Sequence, residues 1–598
     1  MTRETLDRCI RLRVAPEQQD FVASNLYSLA ESAVMPDTWP LAVYDGDEMV
    51  GFVMYSREPE TGRYWILRLM INVAYQGRCF SRTTLMAAIR LSRESSPVAR
   101  SSSASTTATR LRSGFTRASV FAGPERSTPA RSSCGSTSSR PARRGGTEMD
   151  QRTANLFKAY DIRGIAPEEL TPDIAYRIGR ALVTYLGADN VCVGRDMRVS
   201  GPVLAAALID GIRDQGADVT DIGLISTDGL YFAVGKYGFP AGVMVTASHN
   251  PAEYNGFKLC REEARPLSMD QGIGEIRDLV LANDFADPDH RGDLIERDVT
   301  EAFVEHALSM IDVSALRPMR VAVDAGNGMA GKILPLVFER IPGELTPLLF
   351  ELDGAFPNHE ANPIEPENTR DLRAAVVAHN LDMGVAFDGD ADRMFLIDDN
   401  GEFVGGDMVT AMVAQSLLRK NPGAAVVYNL ICSRTVPEVI EREGGRPVRS
   451  RVGHSFIKAH MRREDAVFGG EHSGHFYFRD NWYADSGLIA FLTVHELLSN
   501  EGLSVSEYLA PIDTRFRSGE INSEVADVDG AIARVREAFA DGEMDELDGL
   551  TVNYPTWWFN LRPSNTQPLL RLNVEADTKE QLDEQTAAVL GVIRGQGA

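Results

Sequence analysis

From Met149 onward this 598-residue chain repeats one rhythm: a short β-branched run, a turn rich in glycine or aspartate, then a stretch of helical period. Thr171-Pro172 is a helix start, Ile174, Ile178 and Leu182 share one face behind it, and Gly187 is the stop. Asn190–Gly194 reads as a strand, and Ser200 as the cap of a second helix carrying Leu204, Leu208 and Ile212 on one side. Val219–Ile222 and Gly242–Val245 come next as strands. A second unit opens near Arg320 with the strand Val321–Val323, the turn Gly326-Asn327-Gly328 and a helix over Lys332–Glu339, and the strand Met383–Phe387 stops at Asp388. A third runs from Asp407 through Val426–Tyr428 to Phe476–Phe478. Alternation of this kind predicts α/β layers with ligands gathered in loops at strand ends. The expected fold class is α/β: three consecutive α/β domains with mixed sheets around a central cleft (149–300, 301–402 and 403–512), plus a smaller C-terminal α+β domain (513–598). At ~150 residues per domain the length accommodates about four domains.

The first 148 residues show no such rhythm. Trp39–Tyr44, Met49–Tyr55 and Tyr64–Ile71 read as successive strands, the first two joined by Asp45-Gly46-Asp47. Residues 95–148 carry nine Arg, no Lys and only Glu125 and Glu148 as acids, and show neither strand nor helix periodicity. Such a segment buries too little apolar surface to fold alone, so it reads as a frameshifted stretch or a disordered basic linker, with Met149 a natural start for the layered part of the chain.

The net charge of −24 argues against nucleic acid or an anionic membrane as partner. An anionic ligand would be held against the global field, by local Arg, Lys and backbone N–H groups. No run approaches the ~20 apolar residues of a membrane span, and the N-terminus lacks a signal-peptide core. The six cysteines are far apart with no CxxC, the pattern of reduced thiols in a cytoplasmic protein.

Four loops carry chemistry. Thr246-Ala247-Ser248-His249-Asn250-Pro251 comes after the apolar run Ala241–Val245. Its serine either satisfies a turn or, activated, acts as nucleophile or phosphate carrier. Asp388-Gly389-Asp390-Ala391-Asp392-Arg393 places three carboxylates at alternate positions after a buried strand, where they repel unless a cation lies between them. Oxygen-only ligands suit Mg²⁺ better than Zn²⁺, and a solvated acidic loop is the other reading. Gly469-Gly470-Glu471-His472-Ser473-Gly474-His475 is at once a tight hairpin and a loop presenting polar groups to vicinal hydroxyls. Arg562-Pro563-Ser564-Asn565-Thr566 offers a guanidinium, hydroxyls and an amide suited to phosphate, or an ordinary Asx/Ser turn. Tyr160-Asp161-Ile162-Arg163, Lys258, His454 and Lys458 are weaker signals.

Together and in this order, over residues 155–575, the four loops resemble those of the α-D-phosphohexomutases, most closely the phosphomannomutase/phosphoglucomutase branch. The resemblance implies an isomerase that interconverts hexose 6-phosphate and hexose 1-phosphate, of mannose or glucose, through a phosphoserine and a hexose 1,6-bisphosphate that also serves as activator. It implies phosphorylation of Ser248, and Mg²⁺ held by Asp388, Asp390, Asp392 and a phosphoserine oxygen. It implies sugar recognition by Glu471, Ser473 and His475, and phosphate binding by Arg562, Ser564, Asn565 and Thr566. Tyr160, Arg163, Lys258, Arg393 and His454 would line the cleft, with Arg163, Lys258 and His475 as candidate proton carriers. The expected partner is a phosphosugar, the expected assembly a monomer or homodimer. Thr246 and His472 resemble the mannose/glucose enzymes, whereas phosphoglucosamine mutases, the alternative, more often show Ser and Gln there. A sugar-phosphate-binding protein spoiled by its N-terminal extension is a further alternative. Ile431 departs from relatives that carry Lys nearby. Residues 1–94 resemble a truncated GNAT-type acetyltransferase whose pyrophosphate loop, Gln76 to Ser81, has Cys79 and Ser81 in place of two glycines, which puts acyl transfer in doubt.

Overall fold

A computed structural model of the chain describes residues 8–10, 12, 28, 32, 38–45, 48–57, 64–75, 84, 118–121, 151–525, 527–563 and 569–595. The chain divides into two compact units, Met1–Pro141 and Ala142–Ala598.

The first unit contains an antiparallel sheet in the order Tyr64–Ile71, Glu48–Arg57, Thr38–Asp45, Ala118–Phe121. Its alternating side chains bury on both faces: Val43, Val50, Val53 and Ile71 on one, Tyr44, Met49, Phe52 and Met54 with Cys9 and Leu12 on the other. The three-strand meander matches the sequence pattern. The fourth strand corrects it, because the segment 95–148 carries no period yet Val120 and Phe121 pair with Val43 and Ala42. An open sheet edge presents unpaired N–H and C=O groups to any short β-forming tetrapeptide, which needs no periodicity to fill it. The loop Gln76–Ser81 lies outside the described residues.

The second unit holds four sheets. The first runs Arg265–Pro266, Tyr254–Arg261, Ala241–Val245, Asn190–Arg195, Asp218–Leu224, Leu294–Glu296, with Ile162–Ile165 also paired to Tyr254–Arg261. Its middle strands are parallel, and every residue of Ala241–Val245 is buried. The flanking helix Pro172–Leu186 starts where Thr171 Oγ accepts the Ile174 N–H (3.3 Å) and ends at Gly187 in the left-handed conformation. It crosses Gly201–Asp214 at Gly179 and Gly211, where a Cβ on Gly211 would lie 2.0 Å from the Tyr176 carbonyl. Ser200 precedes that helix but does not cap it, since its hydroxyl accepts Nδ2 of Asn255 (2.9 Å).

The second sheet is ordered Gly343–Leu348, Met319–Asp324, Met383–Phe387, Met394–Ile397, Phe403–Val404, and the third Arg446–Ser450, Ala425–Asn429, Phe468–Gly470, Phe476–Phe478, Ala484–Asp485. Both start parallel and finish antiparallel. The fourth is antiparallel throughout, centred on Trp557–Pro563 and Leu569–Ala576 under the helices Val528–Ala538 and Lys579–Ile593. One apolar cluster joins Phe232, Phe303, Leu334, Met412 and Phe491, and so fuses the first three layers, whereas the last piece has its own core around Phe559, Leu572 and Val589. Among the described residues no helix is long and apolar enough to cross a membrane.

Candidate active site

Ser248 comes after the buried strand Ala241–Val245 in a turn where its own φ is +51°, a left-handed conformation that non-glycine residues rarely adopt. The serine is 4% exposed, and its Oγ donates to Asp388 Oδ2 at 2.7 Å. His249 Nδ1 lies 3.4 Å from the same hydroxyl. Burial, then Arg393 and Arg163, hold His249 well below the usual imidazole range, so the ring is neutral. Arg163 donates to Asn250 Oδ1 (2.5 Å) and pairs with Asp161, which brings the early loop against the serine turn.

Asp388, Asp390 and Asp392 lie just past the strand Met383–Phe387 and are all buried, the turn being closed by Ala391 at φ +61°. One oxygen from each lies within 4.8 Å of the others. Lys258, from the strand Tyr254–Arg261, donates to Asp390 (2.8 Å) and Asp392, Thr227 donates to Asp390 (2.5 Å), and Arg393 Nε donates to Asp388 (2.9 Å). Burial raises Asp388 despite Arg393, and burial together with Asp390 pushes Asp392 up to about 7. For Asp390 the burial penalty is outweighed by Lys258 and Thr227, which hold it well below the carboxylate range. Lys258 is largely buried too, yet the two carboxylates keep it strongly cationic. Asp390 Oδ1 and Asp392 Oδ1 remain buried without a hydrogen-bond partner. Three carboxylates against two cations, with two orphaned oxygens, fit a hard divalent ion. Asp392 also groups with His475 and Asp485, the latter tied to the buried Lys458 (2.6 Å).

The loop 469–475 is indeed a hairpin, Phe468–Gly470 pairing with Phe476–Phe478. It also organises polar groups. Glu471 accepts the Gly453 N–H (3.1 Å), Ser473 Oγ (3.2 Å) and Tyr477 Oη (3.1 Å), and Ser473 Oγ lies 3.0 Å from His475 Nδ1. Burial raises Glu471 and lowers His475 to about 4 and His454 to about 3. His454 starts a helix and meets Tyr160 edge-on at 4.8 Å.

These groups surround a cleft of about 870 Å³ lined by Tyr160, Arg163, Ser248, Lys258, Asp392, His454, His475 and Arg562. Glu471, Ser473 and Arg393 do not line the cleft: Glu471 and Arg393 are buried behind its wall, with Arg393 paired to Asp388, whereas Ser473 is half-buried beside His475. Arg562 faces the cleft from the last piece, directly across the sheet from Arg571, and both reach Glu520, at 2.6 Å and 3.6 Å. Ser564, Asn565 and Thr566 lie outside the described residues. Sequence reasoning missed Asp196, Arg198, Asp485, Glu520 and Arg571. Asp196-Met197-Arg198 had a signal, an acid and a base just past the strand Asn190–Arg195, at the same C-terminal end of the parallel strands that presents Ser248. Asp485 and Glu520 stand in no motif.

Family models described as phosphoglucomutase/phosphomannomutase alpha/beta/alpha domains I, II and III and C-terminal domain match residues 154–287, 301–401, 405–514 and 520–592. The chain belongs to the phosphoglucomutase/phosphomannomutase family. It is 43% identical over 451 residues to a phosphomannomutase of Escherichia coli, covering 73% of this chain and 99% of that protein. It is 44% identical to phosphohexose mutases of Xanthomonas campestris pv. campestris, covering 74% and 100%. A crystal structure of a phosphoglucomutase/phosphomannomutase family protein from Burkholderia thailandensis is similar at TM-score 0.67 and 35% identity, covering 74% of this chain and 98% of that one. The chain is therefore an isomerase of the hexose-phosphate mutase type, acting on a sugar phosphate.

Proposed function

We propose that Ser248 carries the transferable phosphoryl group and that the cleft interconverts the 1- and 6-phosphates of mannose or glucose through a hexose 1,6-bisphosphate. The observation that carries this is the Ser248 hydroxyl 2.7 Å from a buried carboxylate cluster with two orphaned oxygens, across a sugar-sized cleft from Arg562. The free hydroxyl of the hexose phosphate attacks phosphorus. A new O–P bond forms on the sugar, the Ser248 Oγ–P bond breaks, and the serine oxygen regains a proton. The bisphosphate turns over in the cleft and returns its other phosphate to Ser248.

Each side chain has a part. His475 is held neutral by burial and can accept the attacking hydroxyl's proton, whereas Arg163 and Lys258 remain cations that offset charge on the moving group. Tyr160, His454, Glu471 and Ser473 shape the sugar face, with Glu471 acting through the Gly453 backbone and Ser473. Arg393 fixes Asp388 rather than touching substrate. Arg562, with Ser564, Asn565 and Thr566, binds the phosphate that does not react. Magnesium held by Asp388, Asp390, Asp392 and an oxygen on Ser248 would supply charge neutralisation for phosphoryl transfer, where positioning and electrostatics contribute most of the acceleration. The separate core of the last piece supports its closure over the cleft, which would keep water from the phosphoserine.

Coupled assays with mannose 1-phosphate and glucose 1-phosphate, in Mg²⁺ and a trace of bisphosphate, test the reading. Intact mass should show one phosphate that disappears, with turnover, in Ser248→Ala. Absence of turnover on both sugars by the phosphorylated protein overturns it. Mg²⁺ at 100 times its Kd should stabilise the fold by about 2.7 kcal/mol, a gain Asp390→Asn should lose in a thermal melt.

Further assignments rest on charge and chemistry. The net charge of −24 argues against nucleic acid or an anionic membrane as partner, and Arg163, Lys258 and Arg562 on the cleft wall supply the local positive charge that a small phosphosugar needs against that field. Buried thiols at Cys192, Cys260 and Cys432, outside any disulfide, support a cytoplasmic protein.

A further inference from the structure

The left-handed conformation of Ser248 costs about 1–2 kcal/mol for a residue with a Cβ, so something must hold it. Both peptide groups flanking its Cα are tied to one buried ion pair. On the N-terminal side the Ser248 N–H donates to Thr246 Oγ (2.9 Å), and that hydroxyl donates to Asp196 Oδ2 (2.7 Å). On the C-terminal side Arg198 Nη2 donates to the Ser248 carbonyl (2.8 Å) and the Asn250 carbonyl (2.6 Å). The other terminal nitrogen, Nη1, takes the carbonyls of Pro251 (2.8 Å) and Tyr254 (2.9 Å). Asp196 Oδ2 completes the pair, 3.4 Å from Arg198 Nε, and neither side chain has any exposed surface.

The guanidinium also stacks over Phe356 of the second layer at 5.1 Å, and the Arg198 backbone passes so close to Gly354 that a Cβ there would lie 2.5 Å from the Arg198 Cα. The same clamp therefore touches the layer that supplies the three aspartates. A scaffold needing only a turn could have used backbone hydrogen bonds. A fully buried arginine with four main-chain acceptors is a costly device, since any apolar replacement would leave those carbonyls unpaired.

We propose that Arg198, backed by Asp196 and Thr246, is a positioning residue for phosphoryl transfer: it holds the Ser248 backbone in the conformation that aims Oγ at the aspartate cluster. Arg198 touches neither sugar nor phosphate, so its loss should change the reacting geometry and leave sugar binding alone. A displacement of about 1 Å at a reacting centre costs about 10²-fold in rate. The inference rests on Ser248 being the phosphate carrier.

The test uses the full chain with Arg198→Lys, which keeps the charge but offers no fork, and with Thr246→Val, which cuts the other side of the clamp. Melting temperature, intact mass, kcat and KM for glucose 1-phosphate and mannose 1-phosphate, and the ³¹P chemical shift of the phosphoserine are read for each. The expected result is kcat lower by about 10- to 100-fold, KM within about twofold, and a displaced phosphoserine resonance in both variants, with a larger loss of kcat in a third variant, Arg198→Met, which removes charge and fork together. Wild-type kcat and an unmoved ³¹P resonance in a phosphorylated Arg198→Lys would overturn the clamp alone, whatever the melting temperature. Wild-type kcat in a folded Thr246→Val would overturn it even if the arginine variants fail to fold. A wild-type protein that turns over sugar phosphate without phosphate on Ser248 would instead overturn the carrier reading, and the clamp with it.

Discussion

At the scale of single residues, this molecule works by keeping ionisable groups away from their ordinary protonation states. His454 and His475 are held at about 3 and about 4 by burial, against about 6.5 in an unfolded chain. Both are neutral when folded, so unfolding takes up a proton at each site below pH 6.5. Stability present above pH 6.5 should fall as pH drops toward 4. Melting temperatures measured from pH 7 to pH 5 should decline, and His454→Gln should decline less steeply than wild type. An equal slope in the variant would mean that His454 titrates normally. These residues were legible as polar members of loops, because residue type and spacing survive without coordinates. Their charge states were not, because burial depends on what packs against them from elsewhere in the chain.

At the scale of elements, the strand and helix patterns from 151 onward translate closely into structure, because each element carries its own period and punctuation. Thr171, Pro172 and Gly187 bound their helix as such signals do. Where a local signal had a competitor it failed: the Ser200 hydroxyl serves Asn255 instead of the helix it precedes. The Ala118–Phe121 strand failed in the other direction, recruited by a neighbouring edge without any pattern of its own. Close packing of the helices Pro172–Leu186 and Gly201–Asp214 was invisible from sequence, since Gly211 looks like an ordinary helix flaw until the Tyr176 carbonyl is placed against it. Gly211→Ala should therefore destabilise by about 1–3 kcal/mol despite alanine's better helix propensity. Chemical denaturation checks this, with kcat per folded molecule unchanged; a neutral or stabilising effect would refute the contact.

At the scale of the whole molecule, the two compact units divide the work unequally. Every group assigned to the chemistry lies beyond Met149, in the layers joined by one core and in the separately cored last piece. We expect a chain starting at Met149 to match the full-length protein in kcat and KM within about twofold, since the residues lining the cleft run from Lys158 to Arg571. Steady-state assays of the two forms side by side check it, and a tenfold loss in the short form would assign residues 1–148 a part in catalysis.

What the sequence determined by itself was local: the alternation of strands and helices, and four short loops whose residue types suit a phosphate carrier, a hard cation, a sugar and a phosphate. Residues close in the chain keep their spacing however the rest folds, so motifs are readable there. Tertiary structure alone decided which groups meet. It set Lys258 between two aspartates 132 and 134 positions away, withdrew Arg393 and Glu471 behind the wall, and brought Arg198 under the Ser248 turn from 50 residues upstream. Contacts across such distances form only when the layers pack, and no local pattern encodes which carbonyl a buried arginine will find.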